Sequence, residues 1–168
     1  VLFPDTVVTD TLQVFNITRR QWGMRSIPGF FLNPSTKYIG HWGFDVVSLL
    51  NNPVVADGVE RNMCYLSGGN NESPGGGTTK NLWRYDPATN GGQYVGDFKE
   101  DVWFGFHASW YVPWIGDDGG ICVAGGVDHN HQVNSTTQCY DMGADTFNGL
   151  NADLGALPEP WWGMADGW

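Results

Sequence analysis

Asp128-His129-Asn130-His131 is the densest group of metal-type side chains in the sequence. On an extended segment the alternation His-x-His puts both imidazoles on one face. With the Asp128 carboxylate, the set could hold a transition metal through nitrogen and oxygen. The same residues lie between two apolar runs, where a polar connecting loop is expected in any case. The plain reading is a solvated loop without metal, which leaves Asp128, His129 and His131 as weak ligand candidates. The three cysteines are Cys64, Cys122 and Cys139. If the connection between the last two is a hairpin centred midway, they face each other across paired strands and a disulfide is within reach. Counted back from the following Gly-Gly, Cys64 is offset by one position from Cys122, so it points to the other face and reads as a buried apolar thiol. No Cys-x-x-Cys or Cys-His zinc spacing occurs.

The carboxylates are numerous but not arranged for any one reaction. Asp117-Asp118-Gly119-Gly120 reads as a tight hairpin turn, and Asp97, Glu100, Asp101, Asp153 and Glu159 as acidic loop residues. A calcium site needs six to eight oxygens, and no regular spacing supplies them. A carboxylate pair for glycoside hydrolysis cannot be singled out from so many acids. Gly75-Gly76-Gly77 lacks the Lys and Ser/Thr of a phosphate loop and reads as a linker. His41 and His107 read as structural histidines. No catalytic residue and no cofactor is assigned. Asn16-Ile17-Thr18, Asn71-Glu72-Ser73 and Asn134-Ser135-Thr136 match the N-glycan acceptor pattern. All three fall at predicted turns, so Asn16, Asn71 and Asn134 are glycosylation candidates.

Composition narrows what these residues sit on. The net charge of −10 is wrong for a phosphate-backbone binder, which needs a basic surface. No apolar run approaches the ~18 residues that span a bilayer. Aromatic residues at 14% are too many for disorder. Twenty-four glycines, few good helix formers and abundant Asn, Asp and Thr point to an all-β, turn-rich chain. There is no initiating Met and no signal peptide, so the chain reads as a mature or partial stretch of a longer one.

Internal repetition organises the strands. Leu12-Gln13-Val14-Phe15-Asn16, Leu82-Trp83-Arg84-Tyr85-Asp86 and Thr137-Gln138-Cys139-Tyr140-Asp141 are short strands ending in an aromatic and an Asn or Asp. An isolated aromatic follows each: Trp22, Tyr94 and Phe147. Two further runs end in Gly68-Gly69 and Gly125-Gly126, 57 residues apart. Trp103-Phe104-Gly105 and Trp161-Trp162-Gly163 form a third column, with Trp42-Gly43-Phe44 as a weaker copy. The order within a unit is constant: aromatic-Gly strand, diglycine strand, aromatic-Asp strand, short strand. Four short strands per ~50-residue unit suit a propeller blade, and an ordinary β-sandwich is the competing architecture.

The columns Gly68-Gly69, Gly125-Gly126, Tyr85-Asp86, Tyr140-Asp141, Gly105 and Gly163 resemble kelch repeats. The resemblance covers most of the chain and is weakest over residues 23–60. It implies all-β, kelch-type propeller blades within one domain over 1–168, with a partial blade at 1–35, blades at 36–95 and 100–148, and a partial blade at 160–168. A closed ring typically needs four to eight blades, so the rest of a longer chain or partner subunits would complete it, and the segment alone is expected to aggregate or fold poorly. Some kelch propellers, similar to galactose oxidase, use copper with a Tyr-Cys pair. In Cys64-Tyr65 and Cys139-Tyr140 the neighbours point to opposite faces, which disfavours such a link. The function implied is a non-catalytic, extracellular or cell-surface module that binds protein or glycan or builds an assembly, with no nucleic acid and no membrane span. The alternative is a fragment of a secreted propeller enzyme, an oxidase or glycan hydrolase, with its active site in other blades.

Overall fold

The computed structural model of the chain describes residues 11–26, 41–42, 45–49, 54–56, 59–71, 79–99, 107–128, 130 and 132–161. These residues form strands and turns with no helix among them. The strands are β1 (Thr11–Asn16), β2 (Gln21–Ser26), β3 (His41–Trp42), β4 (Asp45–Ser48), β5 (Val54–Ala56), β6 (Val59–Arg61) and β7 (Cys64–Ser67). They continue as β8 (Asn70–Asn71), β9 (Asn81–Asp86), β10 (Gly91–Asp97), β11 (Ala108–Val112), β12 (Gly120–Ala124), β13 (Thr137–Asp141) and β14 (Thr146–Phe147).

Two antiparallel four-stranded sheets dominate. One runs β4-β7-β9-β10, the other β11-β12-β13-β14, and in both the spatial order follows the chain. The β5-β6 hairpin is inserted between the first two strands of the earlier sheet. β3 and β8 pair in the same register as β4 and β7, His41 opposite Asn71 and Asp45 opposite Ser67, so one ladder continues across both pairs. The diglycine strand lies beside the Tyr-Asp strand in each sheet, β7 beside β9 and β12 beside β13.

Both sheets are apolar on two faces, which is why β12, Gly-Ile-Cys-Val-Ala, is buried along its whole length. Alternation sends Ile121 and Val123 to one face and Cys122 to the other. The first face meets the neighbouring sheet, forming a core of Val47, Leu49, Met63, Tyr65, Leu82 and Phe98 against Ile121, Val123 and Tyr140. The second carries Val112, Ile115, Cys122 and Cys139, with Trp110 and Leu154 packed on them.

Three hairpins close in the same way. After Asn16, Asp86 and Asp141 come four turn residues, and the last of these, Arg20, Asn90 or Asp145, has φ of 52°, 57° or 53°. Their registers place Phe15 opposite Trp22, Tyr85 opposite Gly92 and Tyr140 opposite Phe147. The isolated aromatics therefore do not share one column. Trp22 and Phe147 are equivalent, whereas Tyr94 pairs with Trp83, one alternation further along β10. The reason is steric room: Gly92 occupies the position of Phe147, and Tyr94 stacks edge-on against Trp83 with centroids 5.4 Å apart.

The turn read at Asp117-Gly120 is wider than the sequence suggests. Gly120 is the first residue of β12, opposite Val112 and Asp141, and the connection occupies residues 113–119. A Cβ on Gly120 would lie 2.7 Å from Ile115 Cγ2 and from the Tyr140 carbonyl, so close packing within the sheet requires this glycine. Gly116 and Gly119, with φ of 59° and 80°, make the turn itself. β10 likewise runs to Asp97, beyond the unit edge read at residue 95. Gly105 and Gly163 lie outside the described residues.

Where the two sheets meet, Gly96 faces the Phe147 ring, and a Cβ there would lie 2.6 Å from Cε2. Phe98 stacks edge-on against the same ring at 5.0 Å. Overpacking costs about 1–3 kcal/mol, so Gly96→Ala is expected to lose that much in urea unfolding. Part of the loss should return when Phe147→Leu is added. An unchanged midpoint in the single variant would show that the sheets do not meet at Gly96.

Candidate functional site

The turn residues settle first, because their side chains are consumed locally. Asn16 Oδ1 accepts the Arg19 N–H at 2.9 Å, Asp86 Oδ1 the Ala88 N–H at 2.8 Å and Asp141 Oδ1 the Ala144 N–H at 2.9 Å. This is the local bonding that makes Asn and Asp turn formers. The tyrosines before the two aspartates reach across the turn: Tyr85 Oη donates to Asn90 Oδ1 at 3.0 Å and Tyr140 Oη to Asp145 Oδ1 at 2.6 Å. Each clamps the residue held at positive φ. Burial and the Asp145 carboxylate push the Tyr140 phenol well above its ordinary value. Burial likewise raises Tyr65, against the opposing pull of Arg84. Partial burial and the bond to Asp97 raise Tyr94.

At the other end of the sheets the two diglycines repeat bond for bond. Gly68 N–H donates to Asn81 O and Gly125 N–H to Thr136 O, both at 2.9 Å. Gly69 O accepts from Thr79 N–H at 2.7 Å and Gly126 O from Asn134 N–H at 3.0 Å. All four glycines have positive φ, between 59° and 96°. Only glycine adopts that region at two successive positions at little cost, having no Cβ, which is why the diglycine is a sequence column.

Two polar ties cross between the sheets, and neither was apparent in the sequence. Ser67 Oγ and His107 Nε2 share a hydrogen bond of 2.6 Å, with the residues only 1% and 4% exposed. Gln138, also buried, accepts the Lys99 N–H at 2.8 Å and donates to Asn148 O at 2.8 Å. Ser67 and His107 have the types and spacing of a nucleophile and its base, yet both are enclosed in the core, where a substrate would not reach them. Their bond holds β7 to the segment entering β11. The only signal in the sequence was position: Ser67 precedes the diglycine and His107 follows the aromatic-Gly column.

Cys122 and Cys139 are directly opposite on β12 and β13, with Cα atoms 4.0 Å apart, and are joined by a disulfide. The Cys139 thiol is therefore spent and cannot link to a tyrosine. Cys64 is a free thiol whose Sγ–H lies 3.8 Å from Ser48 Oγ, on the face away from Tyr65. Asp128 Oδ1 accepts from the Asn130 and Gln132 N–H groups, both at 2.8 Å, and so folds its own loop. His129 and His131 lie outside the described residues, and no group of three or more metal-type side chains occurs among the described ones. Of the acceptor triplets, Asn16 is exposed, Asn134 buries its Nδ2, and the Asn71 side chain lies outside the description.

What the described surface offers instead is aromatic. On the β1-β2 hairpin Phe15 and Trp22 stack with centroids 5.1 Å apart, Trp22 being 72% and Met24 74% exposed. The equivalent pair, Tyr140 and Phe147, has nearly the same geometry, 5.0 Å and 45° against 5.1 Å and 48°, but is packed against the neighbouring sheet. Trp114 and Trp161 add further exposed indoles. Apolar surface of this kind, rimmed by polar turns, suits a binding face.

No protein-family model and no curated protein matches the chain. Among solved structures it is similar to that of YjhT, with a TM-score of 0.53 and 13% sequence identity over 90% of this chain. The match takes in 49% of the YjhT chain, so this chain spans about half its length. The likeness concerns the fold alone: all-β, with antiparallel four-stranded sheets. No helix among the described residues is long and apolar enough to cross a membrane.

Two outcomes test this geometry. Denatured without reductant, the protein should alkylate at one thiol, Cys64, and after reduction at three. A loop of this size contributes about 3 kcal/mol when cross-linked, so reduction should lower the urea midpoint accordingly. Because the folded chain holds the phenols of Tyr65, Tyr94 and Tyr140 more tightly than the unfolded chain does, their contribution is complete below about pH 10, the ordinary phenol value. It is lost as pH rises beyond that. Tyr140→Phe should flatten this alkaline fall and cost about 0.5–1.5 kcal/mol at neutral pH for the missing hydrogen bond; an unchanged alkaline slope would show that the phenol is not held.

Proposed function

We propose that the chain is a non-catalytic, secreted or cell-surface module of kelch-like propeller type, which binds protein or glycan or builds an extracellular assembly through exposed aromatic faces. The observation that carries this reading is the stacked, exposed Phe15–Trp22 pair with Met24 beside it on β1-β2. Indole and phenyl rings offer flat apolar area with little conformational entropy to lose, which suits both sugar faces and subunit packing. Support for the propeller reading comes from repeated local geometry. The two sheets share strand order, diglycine dihedrals and turn bonding, and β1-β2 repeats the last two strands of each. Units of this kind bury their faces only against neighbours, so the rest of a longer chain or partner subunits complete the stack. The Cys122–Cys139 disulfide supports an oxidising compartment.

The test is a comparison of the wild type with Trp22→Ala and Trp22→Phe. Self-association is followed by sedimentation velocity, and binding of a defined panel of neutral oligosaccharides by tryptophan fluorescence. Trp22→Ala should weaken whichever association is seen by tenfold or more, and Trp22→Phe should retain most of it. Association that is indifferent to Trp22→Ala combined with Met24→Ala would remove the hairpin face from the function.

A further inference from the structure

Three Asn-x-Ser/Thr triplets look alike in the sequence, but the fold treats two of them in opposite ways. Asn16 is the last residue of β1, exposed, and followed by a loop in which Ile17, Thr18, Arg19 and Arg20 are all exposed. Its Oδ1 makes the turn bond to Arg19 N–H, so the turn uses one branch of the amide and the Nδ2 branch stands on an exposed residue. The equivalent Asp86 spends both oxygens, on Ala88 N–H and on the Thr89 hydroxyl. Asn134 is the reverse case. Its Oδ1 accepts the Thr136 N–H at 3.1 Å, while Nδ2 is buried with no hydrogen-bond partner. Its main chain is held on both sides, N–H to Gly126 O at 3.0 Å and O from Trp161 N–H at 3.1 Å. A sugar on that nitrogen requires the strand connection beside the diglycine to open.

We propose that Asn16 is an N-glycan acceptor of this protein and that Asn134 is not. The proposal rests on the extracellular placement above. In the transfer, Asn16 Nδ2 attacks the anomeric carbon of a lipid-linked oligosaccharyl pyrophosphate. The C–N bond forms as the sugar–phosphate bond breaks, the lipid pyrophosphate leaves with the electron pair, and one amide proton is released. Oδ1 is not consumed, so the Arg19 turn bond survives glycosylation. The same logic supplies a control: Asn16→Asp removes the acceptor nitrogen but keeps a turn-forming oxygen, as Asp86 and Asp141 do in the sister hairpins.

The basic residues make the test clean. Cleavage after Arg and Lys releases Asn16 in residues 1–19, Asn71 in 62–80 and Asn134 in 100–168. The full chain, secreted from cultured eukaryotic cells behind an added leader, is treated with peptide N-glycosidase, which converts an occupied Asn to Asp, and is then digested for mass spectrometry. Peptide 1–19 should be converted and peptide 100–168 should keep Asn134. Thr18→Ala and Asn16→Asp should each abolish conversion of 1–19, with Asn16→Asp leaving the thermal midpoint within a degree or two of Thr18→Ala, which keeps the asparagine without its glycan. An unconverted 1–19, or a glycan on Asn134, overturns the proposal. Chain translated into microsomal vesicles reads Asn16 occupancy even if secretion fails. An unglycosylated chain that still responds to Trp22→Ala would sink this proposal and leave the binding reading standing, and the converse result would do the opposite.

Discussion

The fold depends on burying sheet faces that are apolar on both sides. Tyr65, Leu82 and Phe98 are buried in one cluster with Ile121, Val123 and Tyr140 of the next sheet, and Tyr111, Phe147 and Leu150 pack against it. Each large side chain so buried contributes about 1.5–3 kcal/mol, and a domain's whole net stability is only ~5–15 kcal/mol. Face-to-face packing therefore dictates the rest. It requires glycine at position 96, where a ring from the other sheet would overlap a side chain. It also closes off Ser67, His107 and Gln138, whose polar atoms must then find partners across the interface, because an unsatisfied buried group costs more than the bond returns.

Within that packing the chain uses one local device repeatedly. An Asn or Asp accepts a main-chain N–H, a four-residue turn follows, and its last residue takes positive φ. Where the preceding aromatic is tyrosine, its hydroxyl clamps that last residue. Where it is Phe15, no hydroxyl exists and the ring instead stacks on Trp22 at the surface. The Tyr140–Phe147 pair stacks in nearly the same geometry, and it is the neighbouring sheet packed on it that turns one pair inward while the other faces out. The same device makes Asn16 unlike Asp86 and Asp141, because the second branch of its side chain is a nitrogen rather than an acceptor.

The functional reading follows from which polar groups remain at the surface. The nucleophile-and-base pair is enclosed, Asp128 is occupied by its loop, and two of the three cysteines are bonded to each other. Among the described residues the surface presents the indoles of Trp22, Trp114 and Trp161, which offer flat apolar area to a partner.

Local structure was legible from the residues alone wherever a column had a backbone reason. Gly68-Gly69 and Gly125-Gly126 mark strand ends because two successive positive φ angles admit little else. Asp86 and Asp141 mark turns because a short carboxylate bonds its own loop. The strand order follows the order of the repeat columns, and Cys122 opposes Cys139 because the hairpin between them is centred midway. Other features had no local reason. The Pro113–Gly119 connection folds Ile115 to where a Gly120 side chain would stand, and Tyr94 stacks on Trp83 across the strand. The Ser67–His107 bond joins residues 40 apart in the chain. Asn16 and Asn134 head the same acceptor pattern, and only the tertiary structure leaves the first exposed while the second has its main chain tied to Gly126 and Trp161 and its Nδ2 buried. Sequence determines what a residue can bond to within a few neighbours; which groups are buried, and so which chemistry is left available, is decided only when distant faces close on each other.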